Sequence, residues 1–557
     1  MRETRYVSRD TSKKERVELL FKKMQNKFRN KEYFTLSNVT HDNMMGFKFV
    51  DELKPIFKTF IEKGLIKETD KYGRYCFNDS VVKEESDEEL FISSYRNDLE
   101  KEIKKHKKFI ITTAVMGKKV NTSFLASIKN YAKRNKALLL LLPCEDVASR
   151  GRNAKPIELD DSLKDCRVVF KDTYLNKNLC LCAIKTSAKQ INPLSGLDRL
   201  TTAKNASIIV ASPKTFLKYV PNMHYDIPFA LMTTGAITEN NYDTDKYMSK
   251  RTAYLAENDH TYGAIIVETE HDDIFHFRHV KASIGGSFID LGIEYFPNGS
   301  IKEVEGNALV VGDSHVGYHD EELHKQVMKL AFDTSVQEVV LHDIFHGSSI
   351  SHHDVGKGIT NAIKAREGKL GLRKECIAVK NYLTAITNQG LNVSIVKSNH
   401  DSHLLRFLEE GRYVSDPMNY EFSLKLALAA TKGEDPLQFA IEHELGYKND
   451  KVKWLEEDSG YKVFGVECSM HGAIGANGCK GSSTVFEKGL GNCVTAHTHS
   501  ASIIRDAYCV GTVGLMDMKY NKGLSSWTRT CCLIYSNGTK QLVNFIPDSR
   551  GNYSYRA

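Results

Sequence analysis

The sequence lacks any apolar run long enough to cross a membrane. Its longest uncharged apolar stretch is ALLLLLPC at 137–144, whereas a transmembrane helix needs about 20 apolar residues. The basic N-terminal segment MRETRYVSRDTSKKER is not followed by the apolar core of a secretory signal. We therefore expect no membrane partner and a cytoplasmic location, which would be the host cytoplasm for a viral protein.

The sequence also lacks paired cysteines and a nucleotide-binding loop. None of the 12 cysteines forms a C-x-x-C pair, so we expect free thiols in a reducing compartment and no cysteine zinc site. Gly117-Lys118-Lys119 follows a predicted strand, but the pattern G-x-x-x-x-G-K-[ST] does not occur there. This excludes a Walker ATP site.

The composition is that of an ordinary globular protein of several domains. The chain has 557 residues, of which 41% are hydrophobic and 26% charged, and a domain takes about 150 residues. The net charge of +7 permits a nucleic-acid partner without arguing for one. Residues 1–31 carry eleven Lys or Arg against four Asp or Glu. Such a basic arm either contacts phosphates or remains a solvated segment.

Residues 1–83 are predicted to form a small, basic, winged-helix-like domain. The helical spacing in SKKERVELLFKKMQNKF and in KFVDELKPIFKTFIEKGL, which ends at Gly64, is followed by the hairpin pattern LIKETDKYGRYCF. A helical cap on a neighbouring domain is the alternative. The acidic run KEESDEEL at 83–90 predicts a solvated linker, which we place at 84–100.

Residues 101–300 are predicted to form an α/β accessory domain. The order KFIITTAV, NTSFLASIKNYAKRN, ALLLLLP predicts a strand–helix–strand unit with parallel pairing. Further strands are predicted at RVVF, LCLCAI, SIIVAS, FALMTTGAI, YGAIIVETE and FHFRHVKA. This region contains no catalytic constellation, which favours a scaffold or a substrate-positioning domain. Asn298-Gly299 predicts a hairpin turn at its end.

Five apolar strands predicted after residue 300 each end in polar residues that can bind a metal. The clusters, in chain order, are Asp313 and His315; Asp343, followed by His346; Asn399, His400 and Asp401; His471; and His497 with His499. Binding sites in α/β sheets lie outside the carboxyl ends of the strands. We therefore expect these clusters to converge, the alternative being five unrelated turns.

The donor types predict two divalent ions. Imidazole, carboxylate and amide groups without thiolate favour Mn, Fe or Zn over a site built from oxygen alone. Seven ligands exceed the needs of one ion, whereas two ions that share a carboxylate would use them all. Such a pair activates a hydroxide and stabilises the attacking and leaving oxygens at a phosphorus atom.

The order of these clusters resembles the calcineurin-like metallophosphoesterase superfamily, over about 300–557. The resemblance implies a four-layer αββα sandwich for 301–557, whose second sheet would be completed by the runs SIIRDAYCVGTV, WTRTCCLIYS and QLVNFIP. It implies one metal on Asp313, His315, Asp343 and His499 and the other on Asp343, Asn399, His471 and His497. It further implies that His400 protonates the leaving oxygen and that Asp401 orients His400 by a hydrogen bond.

The motifs depart from the family at three glycines. His342, Ser398 and Ala496 stand where the family usually has glycine before a ligand. The ligands themselves are intact, so we expect altered backbone turns and no loss of metal.

The second motif narrows the expected substrate. Asp-Ile-Phe-His at 343–346 resembles the Asp-Leu-Phe-His of double-strand-break-repair nucleases, which implies that His346 places the DNA backbone. The alternative for His346 is that it holds a metal ligand. Overall resemblance extends to the host-DNA-degrading nucleases of T5-type phages.

The resemblance thus implies a two-metal DNase acting on double-stranded DNA, most active with Mn, with Mg, Fe and Zn left open. It also implies a homo-oligomer of at least two chains, and an ATPase partner is left open. A small-molecule phosphodiesterase or phosphoprotein phosphatase on the same fold is the alternative enzyme. A DNA-binding regulator with a structural metal is the alternative outside enzymes.

Three further segments have both a functional and a structural interpretation. His352, His353 and Asp354, in a Gly/Ser-rich loop, either line the rim of the active site or face solvent. Arg406, just past the third cluster, either contacts phosphate or is an ordinary surface arginine. The polar tail DSRGNYSYRA is either a loose end or a contact arm.

Overall fold

The structure is a computed structural model of the chain. It describes residues 20–21, 23–25, 27–28, 33–41, 50–69, 71–77, 99–146, 158–223, 227–242, 250–456, 459–518 and 521–557. The chain forms two compact units, Met1–Arg96 and Asn97–Ala557. Among the described residues, no helix combines the length and the apolar character that a membrane crossing requires. The cysteines are all unpaired, as predicted.

In the first unit, the described residues between 20 and 28 are helical, and two further helices and a hairpin follow them. These elements are α1 (Leu36–His41), α2 (Val50–Glu62), β1 (Ile66–Glu68) and β2 (Tyr75–Phe77). The two strands pair antiparallel, so the predicted hairpin is confirmed. An aromatic core that includes Phe34, Phe57 and Phe77 holds the unit together. Residues 1–19 of the basic arm and the acidic run at 83–90 lie outside the described residues.

The second unit is a mixed α/β structure. Its helices are α3 (Leu99–Lys105), α4 (Thr122–Asn135), α5 (Asp198–Lys204), α6 (Lys250–Asn258), α7 (Glu321–Asp333), α8 (Gly358–Arg366), α9 (Leu372–Asn388), α10 (Asn399–Glu409), α11 (Tyr420–Ala430), α12 (Pro436–Phe439) and α13 (Ser483–Gly489). Its strands are β3 (Lys108–Val115), β4 (Ala137–Cys144), β5 (Arg167–Val168), β6 (Thr173–Asn176), β7 (Leu179–Cys182), β8 (Ser207–Val210), β9 (Phe216–Val220), β10 (Phe229–Thr233), β11 (Gly263–Thr269), β12 (Phe275–Lys281), β13 (Phe288–Asp290), β14 (Ile293–Tyr295), β15 (Ile301–Glu303), β16 (Asn307–Val310), β17 (Val336–Leu341), β18 (Asn392–Val396), β19 (Val452–Leu455), β20 (Lys462–Val463), β21 (Val466–Glu467), β22 (Cys493–Thr495), β23 (Ser502–Ile504), β24 (Ala507–Cys509), β25 (Thr530–Ile534), β26 (Lys540–Asn544), β27 (Ile546–Pro547) and β28 (Tyr553–Ser554).

A six-stranded sheet carries the first three polar clusters. Its strand order is β19-β18-β17-β16-β25-β26, with β16 to β19 parallel and the last two strands antiparallel. Because side chains alternate along a strand, Leu309 and Leu341 face a core shared with helices, while Val310 and Val340 face a core shared with a second sheet. The strands are therefore buried on both faces, which explains their continuous apolar runs.

The second sheet has ten strands drawn from distant parts of the chain. Its order is β20-β21-β22-β24-β23-β9-β10-β8-β7-β6. Strand β23 pairs antiparallel with β9, where Ile503 lies opposite Leu217. Residues before and after position 300, which the sequence analysis assigns to separate domains, therefore form one sheet. Helix α5 packs on one face of this sheet through Leu200.

The expected placement of the last strands is partly wrong. The run SIIRDAYCVGTV does join the ten-stranded sheet, but as a hairpin of β23 and β24 that turns at Arg505, whose φ is 56°. WTRTCCLIYS and QLVNFIP, in contrast, form β25 and β26 of the six-stranded sheet. Antiparallel pairing of β25 with β16, and of β26 with β25, places both strands between the two cores that flank that sheet.

The predicted strand–helix–strand unit is confirmed in a five-stranded sheet. The strand order is β12-β11-β3-β4-β5, and β3 and β4 are parallel across α4. Helix α4 begins where the Asn121 side chain accepts a hydrogen bond from Phe124 N at 3.0 Å, as helix N-caps do. The predicted turn at Asn298-Gly299 joins β14 to β15, and Gly299 has a φ of 86° that favours glycine.

The polar C-terminal tail is a contact arm within the second unit. Arg278, which is 1% exposed, donates to Glu268 Oε1 at 2.6 Å and to Asp290 Oδ1 at 2.7 Å. Ala557 N donates to the other oxygen of Glu268 at 3.0 Å, and Tyr555 Oη donates to Asp333 Oδ2 at 2.5 Å. The buried guanidinium and its two carboxylates thus also hold the last residues of the chain.

We predict that Arg278→Ala destabilises the second unit by about 3–5 kcal/mol, because it leaves two buried carboxylates without their partner. Urea unfolding followed by circular dichroism measures the loss. The matched control is Arg366→Ala, at an exposed position of α8, which should stay within about 0.5 kcal/mol of the wild type. Equal stability of the two variants would contradict a stabilising role of the Arg278 network.

Candidate metal centre

The polar clusters meet where the two large sheets come together. Asp313, His315, Asp343 and Asn399 follow strands of the six-stranded sheet, and His471, His497 and His499 follow β21 and β22 of the ten-stranded sheet. The segment after β16 pairs with the segment after β24: Val513 N donates to Asp313 O at 3.0 Å, and Thr512 Oγ1 donates to the same oxygen at 2.8 Å. These bonds join the carboxyl ends of strands from both sheets.

Glycines allow the backbone segments to approach closely at this junction. A Cβ atom on Gly312 would lie 2.7 Å from the carbonyl oxygen of Gly511. A Cβ atom on Gly472, whose φ is 116°, would lie 2.9 Å from the carbonyl oxygen of Ala496. Both contacts are too short for any side chain. Ala496 N donates to His471 O at 2.7 Å, which ties the fourth cluster to the fifth.

One compact group of donors consists of Asp313, His315, Asp343 and His499. All four are buried, and one donor atom from each lies within 4.8 Å of the others. His499 Nε2 lies 3.0 Å from both His315 Nε2 and Asp313 Oδ2, and His315 Nε2 lies 3.7 Å from Asp343 Oδ2. This is the set predicted for the first metal.

The remaining predicted ligands lie next to this group, and His471 approaches the same Asp343 oxygen as His315 does. His471 Nε2 lies 3.5 Å from Asp343 Oδ2 and 2.9 Å from Asn399 Oδ1. The ring of His497 packs edge-on against His471, with the centroids 5.1 Å apart. The structure therefore brings the seven predicted ligand residues to one place and puts Asp343 between the two groups.

The buried polar atoms of this cluster fit a divalent cation. Asp313 Oδ2, Asp343 Oδ1, His471 Nδ1 and His499 Nδ1 are buried without a hydrogen-bond partner among the described residues, whereas buried polar atoms normally have one. Burial would raise the pKa of Asp343, but its interactions with His400 and His471 outweigh that effect and lower the pKa well below its usual range. Burial also holds the pKa of His315 low, so its imidazole is in the neutral form that binds metals.

Four of these residues have strained backbones. His315, Asp343, His497 and His499 have φ values of 45°, 46°, 72° and 55°, in the left-handed region that side chains disfavour. Each such residue costs about 1–3 kcal/mol and is held in place by its surroundings. Strain of this kind is concentrated at functional sites, and here it aims the side chains of four predicted ligands.

His400 lies beside the cluster at the first turn of α10. Its Nδ1 is 2.7 Å from the backbone oxygen of His346. The expected hydrogen bond between His400 and Asp401 is not formed: the Asp401 carboxylate accepts from Ser398 N at 2.9 Å, and the Ser398 hydroxyl caps the helix in return. Asp401 is drawn into this capping box because a helix start leaves backbone N–H groups to satisfy. Burial and the charge of Asp343 raise the pKa of Asp401 to about 8.

A cleft of about 860 Å³ opens beside His346, Asn399 and His400. His353 and Asp354 line it, as one of the two interpretations of their loop expects. His352 is not among its lining residues. Arg406 pairs instead with Glu410 on its own helix, at 2.6 Å.

Several residues at the site had no signal in the sequence. Lys357, Lys364 and Lys522 line the cleft, and the ring of Trp527 packs edge-on against His499 with the centroids 4.2 Å apart. None of them belongs to a motif or follows one of the five strands directly. Only the packing of distant segments places them here.

Fold and site together define a mixed α/β protein with a buried aspartate–histidine cluster that can hold a metal ion. No family model matches the sequence. The chain is 30% identical over 468 residues to Protein A1 of Escherichia phage T5, covering 80% of this chain and 83% of that protein. The chain therefore belongs to the family of phage T5 Protein A1, and the expected likeness to a protein of T5-type phages is confirmed.

We predict that Asp343→Ala weakens Mn²⁺ binding by at least about 100-fold. Substitution of residues that only hydrogen-bond to a metal ligand already lowers metal affinity about 10–100-fold. Equilibrium dialysis with elemental analysis measures the bound metal. Asp450→Ala, at an exposed position, is the matched control and should bind metal like the wild type. Unchanged binding by the Asp343 variant would contradict a metal centre at this cluster.

Proposed function

We propose that the protein is a two-metal deoxyribonuclease with the sandwich fold of the calcineurin-like metallophosphoesterases, acting on host DNA in the infected cytoplasm as a homo-oligomer. The observation that carries the proposal is the cluster of seven potential metal ligands, most of them buried, at the ends of five strands, with His400 beside it at an open cleft. Family membership with a phage protein supports the phage context.

The residues divide the chemistry between metal binding and proton transfer. Asp313, His315, Asp343 and His499 would hold one ion, and Asp343, Asn399, His471 and His497 the other. A bound pair of divalent ions, Mn²⁺ by preference, supplies a hydroxide nucleophile and stabilises charge at the phosphate.

His400 is suited to protonate the leaving sugar oxygen. Because its Nδ1 donates to the carbonyl of His346, Nε2 is the nitrogen that gains and loses a proton. Burial works against its charge, but Asp343 and the hydrogen bond to His346 raise its pKa overall. A raised pKa keeps the proton available for an acid step. Asp401 acts on His400 through its position in the capping box at the helix start, without a direct hydrogen bond.

The lining of the cleft supports a polyanionic substrate. Lys357, Lys364 and Lys522 line it together with His346 and His403. Two carboxylates, Asp354 and Glu367, also line it, and Lys364 pairs with Asp354 at 2.6 Å. Carboxylates are thus outnumbered in the lining by cationic and imidazole groups. Such groups contact phosphates without regard to base sequence. The motif Asp-Ile-Phe-His at 343–346 favours DNA over a protein or small-molecule phosphoester.

We predict Mn²⁺-dependent degradation of double-stranded DNA by the purified protein and none in EDTA. Linear and closed-circular duplexes, each with Mn²⁺ or Mg²⁺, are followed on gels beside Asp343→Ala. Attack on the circular duplex indicates endonuclease action, and attack on linear DNA alone indicates exonuclease action. If DNA survives while an aryl phosphodiester is hydrolysed, the small-molecule phosphodiesterase is the correct function and the DNase proposal fails.

We predict that His400→Ala lowers DNA turnover by about 10²–10⁴-fold, the usual contribution of a positioned general acid, while metal content is retained. The matched control is His443→Ala, at an exposed histidine outside the cleft, which should retain turnover. Full turnover in the His400 variant would support a metal site with a structural role and contradict the proposed mechanism.

A further inference from the structure

The ring of His346 faces the metal-binding residue His315 directly. The two Nδ1 atoms are 3.2 Å apart, and the rings meet edge-on with their centroids separated by 5.1 Å. A neutral imidazole carries one N–H and one acceptor nitrogen, so one of the two facing atoms must donate and the other accept.

The other nitrogen of His315 decides which atom donates. His315 Nε2 lies among the other predicted metal ligands, 3.0 Å from His499 Nε2 and 3.7 Å from Asp343 Oδ2. If Nε2 binds the metal, the proton of His315 resides on Nδ1. The Nδ1 of His346 must then be the acceptor, which is an arrangement typical of the residues that support metal-binding histidines.

His346 is itself fixed in place by its neighbours. The ring of Tyr318 stacks on it, with centroids 4.2 Å apart and planes inclined by 30°. Beyond His346, the half-buried Glu375 of α9 accepts hydrogen bonds from Ser348 N at 2.9 Å and from Ser349 N at 3.1 Å. The loop that carries His346 is therefore held from two sides and can define the position of its ring.

The backbone of His346 makes a separate contact with His400. Its carbonyl oxygen accepts from His400 Nδ1 at 2.7 Å, and this contact does not depend on the side chain. A substitution of His346 can therefore remove the contact to His315 while it leaves the contact to His400 available.

We propose that His346 is a positioning residue of the metal centre: its Nδ1 accepts the Nδ1–H of His315 and so fixes the tautomer and orientation in which His315 presents Nε2. The inference rests on the metal site of the proposed function, but not on DNA as the substrate. It goes beyond the substrate contact implied by the Asp-Ile-Phe-His motif. Both roles are compatible, because His346 also lines the cleft.

Three substitutions at His346 test the acceptor. In His346→Asn, the amide oxygen can occupy the place of Nδ1 and accept the same proton. In His346→Leu no acceptor remains, and in His346→Gln the amide lies one methylene farther out. The matched control is His403→Leu, because His403 lines the same cleft and packs against His400, with centroids 4.9 Å apart, while no contact joins it to His315 among the described residues.

Mn²⁺ affinity is measured without DNA, from the electron paramagnetic resonance signal of the unbound ion. We expect His346→Leu and His346→Gln to weaken binding about 10–100-fold, whereas His346→Asn and His403→Leu stay within about threefold of the wild type. Near-ultraviolet circular dichroism of the metal-free proteins checks the fold, and the Gln variant carries the test if the Leu variant does not fold.

Two outcomes would overturn the inference. Wild-type affinity in all three His346 variants would leave His346 with a substrate contact alone. Equal weakening in the Asn, Gln and Leu variants would assign the effect to the shape of the ring and not to its acceptor nitrogen. Because no nucleic acid is present, failure of the DNase proposal leaves this result unchanged, and loss of metal affinity in the control would implicate the cleft as a whole.

Discussion

Two aspartates, Asp313 and Asp343, are buried among histidines at the junction of the two large sheets, and the rest of the second unit is arranged around this charge. A buried carboxylate without compensation costs several kcal/mol. The carboxylate oxygens that lack hydrogen-bond partners among the described residues are therefore explained most simply by a cation. The ends of both sheets and the start of α10 hold the imidazole, carboxylate and amide donor atoms close together, where a cation would balance the two carboxylate charges.

The scaffold achieves this by close backbone contact between distant segments. Gly312 and Gly511 bring the ends of strands from the two sheets together where no side chain would fit. The surrounding sheets are buried on both faces, so they can hold four ligand residues in strained conformations. The scaffold therefore fixes the positions of the candidate ligand residues through backbone contacts.

The cleft side of the site is built differently. Much of its wall comes from the loops and short helices between β17 and α9, where His346, Lys357 and Lys364 lie. Tyr318, which follows β16, stacks on His346. Glu375 anchors the start of this segment. The rigid sheet ends thus supply the metal-binding groups, and the adjacent loops supply the groups that would meet a phosphate backbone. Loops on a rigid scaffold commonly carry such recognition.

The sequence by itself determined the features that depend on neighbouring residues. Local periodicity and turn chemistry predict strand β3, helix α4 and strand β4, the turn at Asn298-Gly299, and the five apolar strands with their polar ends. The candidate ligand residues could be predicted from the sequence for the same reason, because each one closely follows an apolar run.

Only the tertiary structure decided which distant segments pair and which side chains they bring together. It joined β9 to β23 in one sheet across position 300, moved β25 and β26 to the other sheet, and buried Arg278 with its two carboxylates. In the structure, the Asp401 carboxylate accepts a hydrogen bond from Ser398 N, and His400 Nδ1 donates to the backbone oxygen of His346. The physical reason is that strand pairing and hydrogen-bond partners depend on competition between all the surfaces of the chain in the folded state. A local sequence pattern contains no information about surfaces that are distant in the chain.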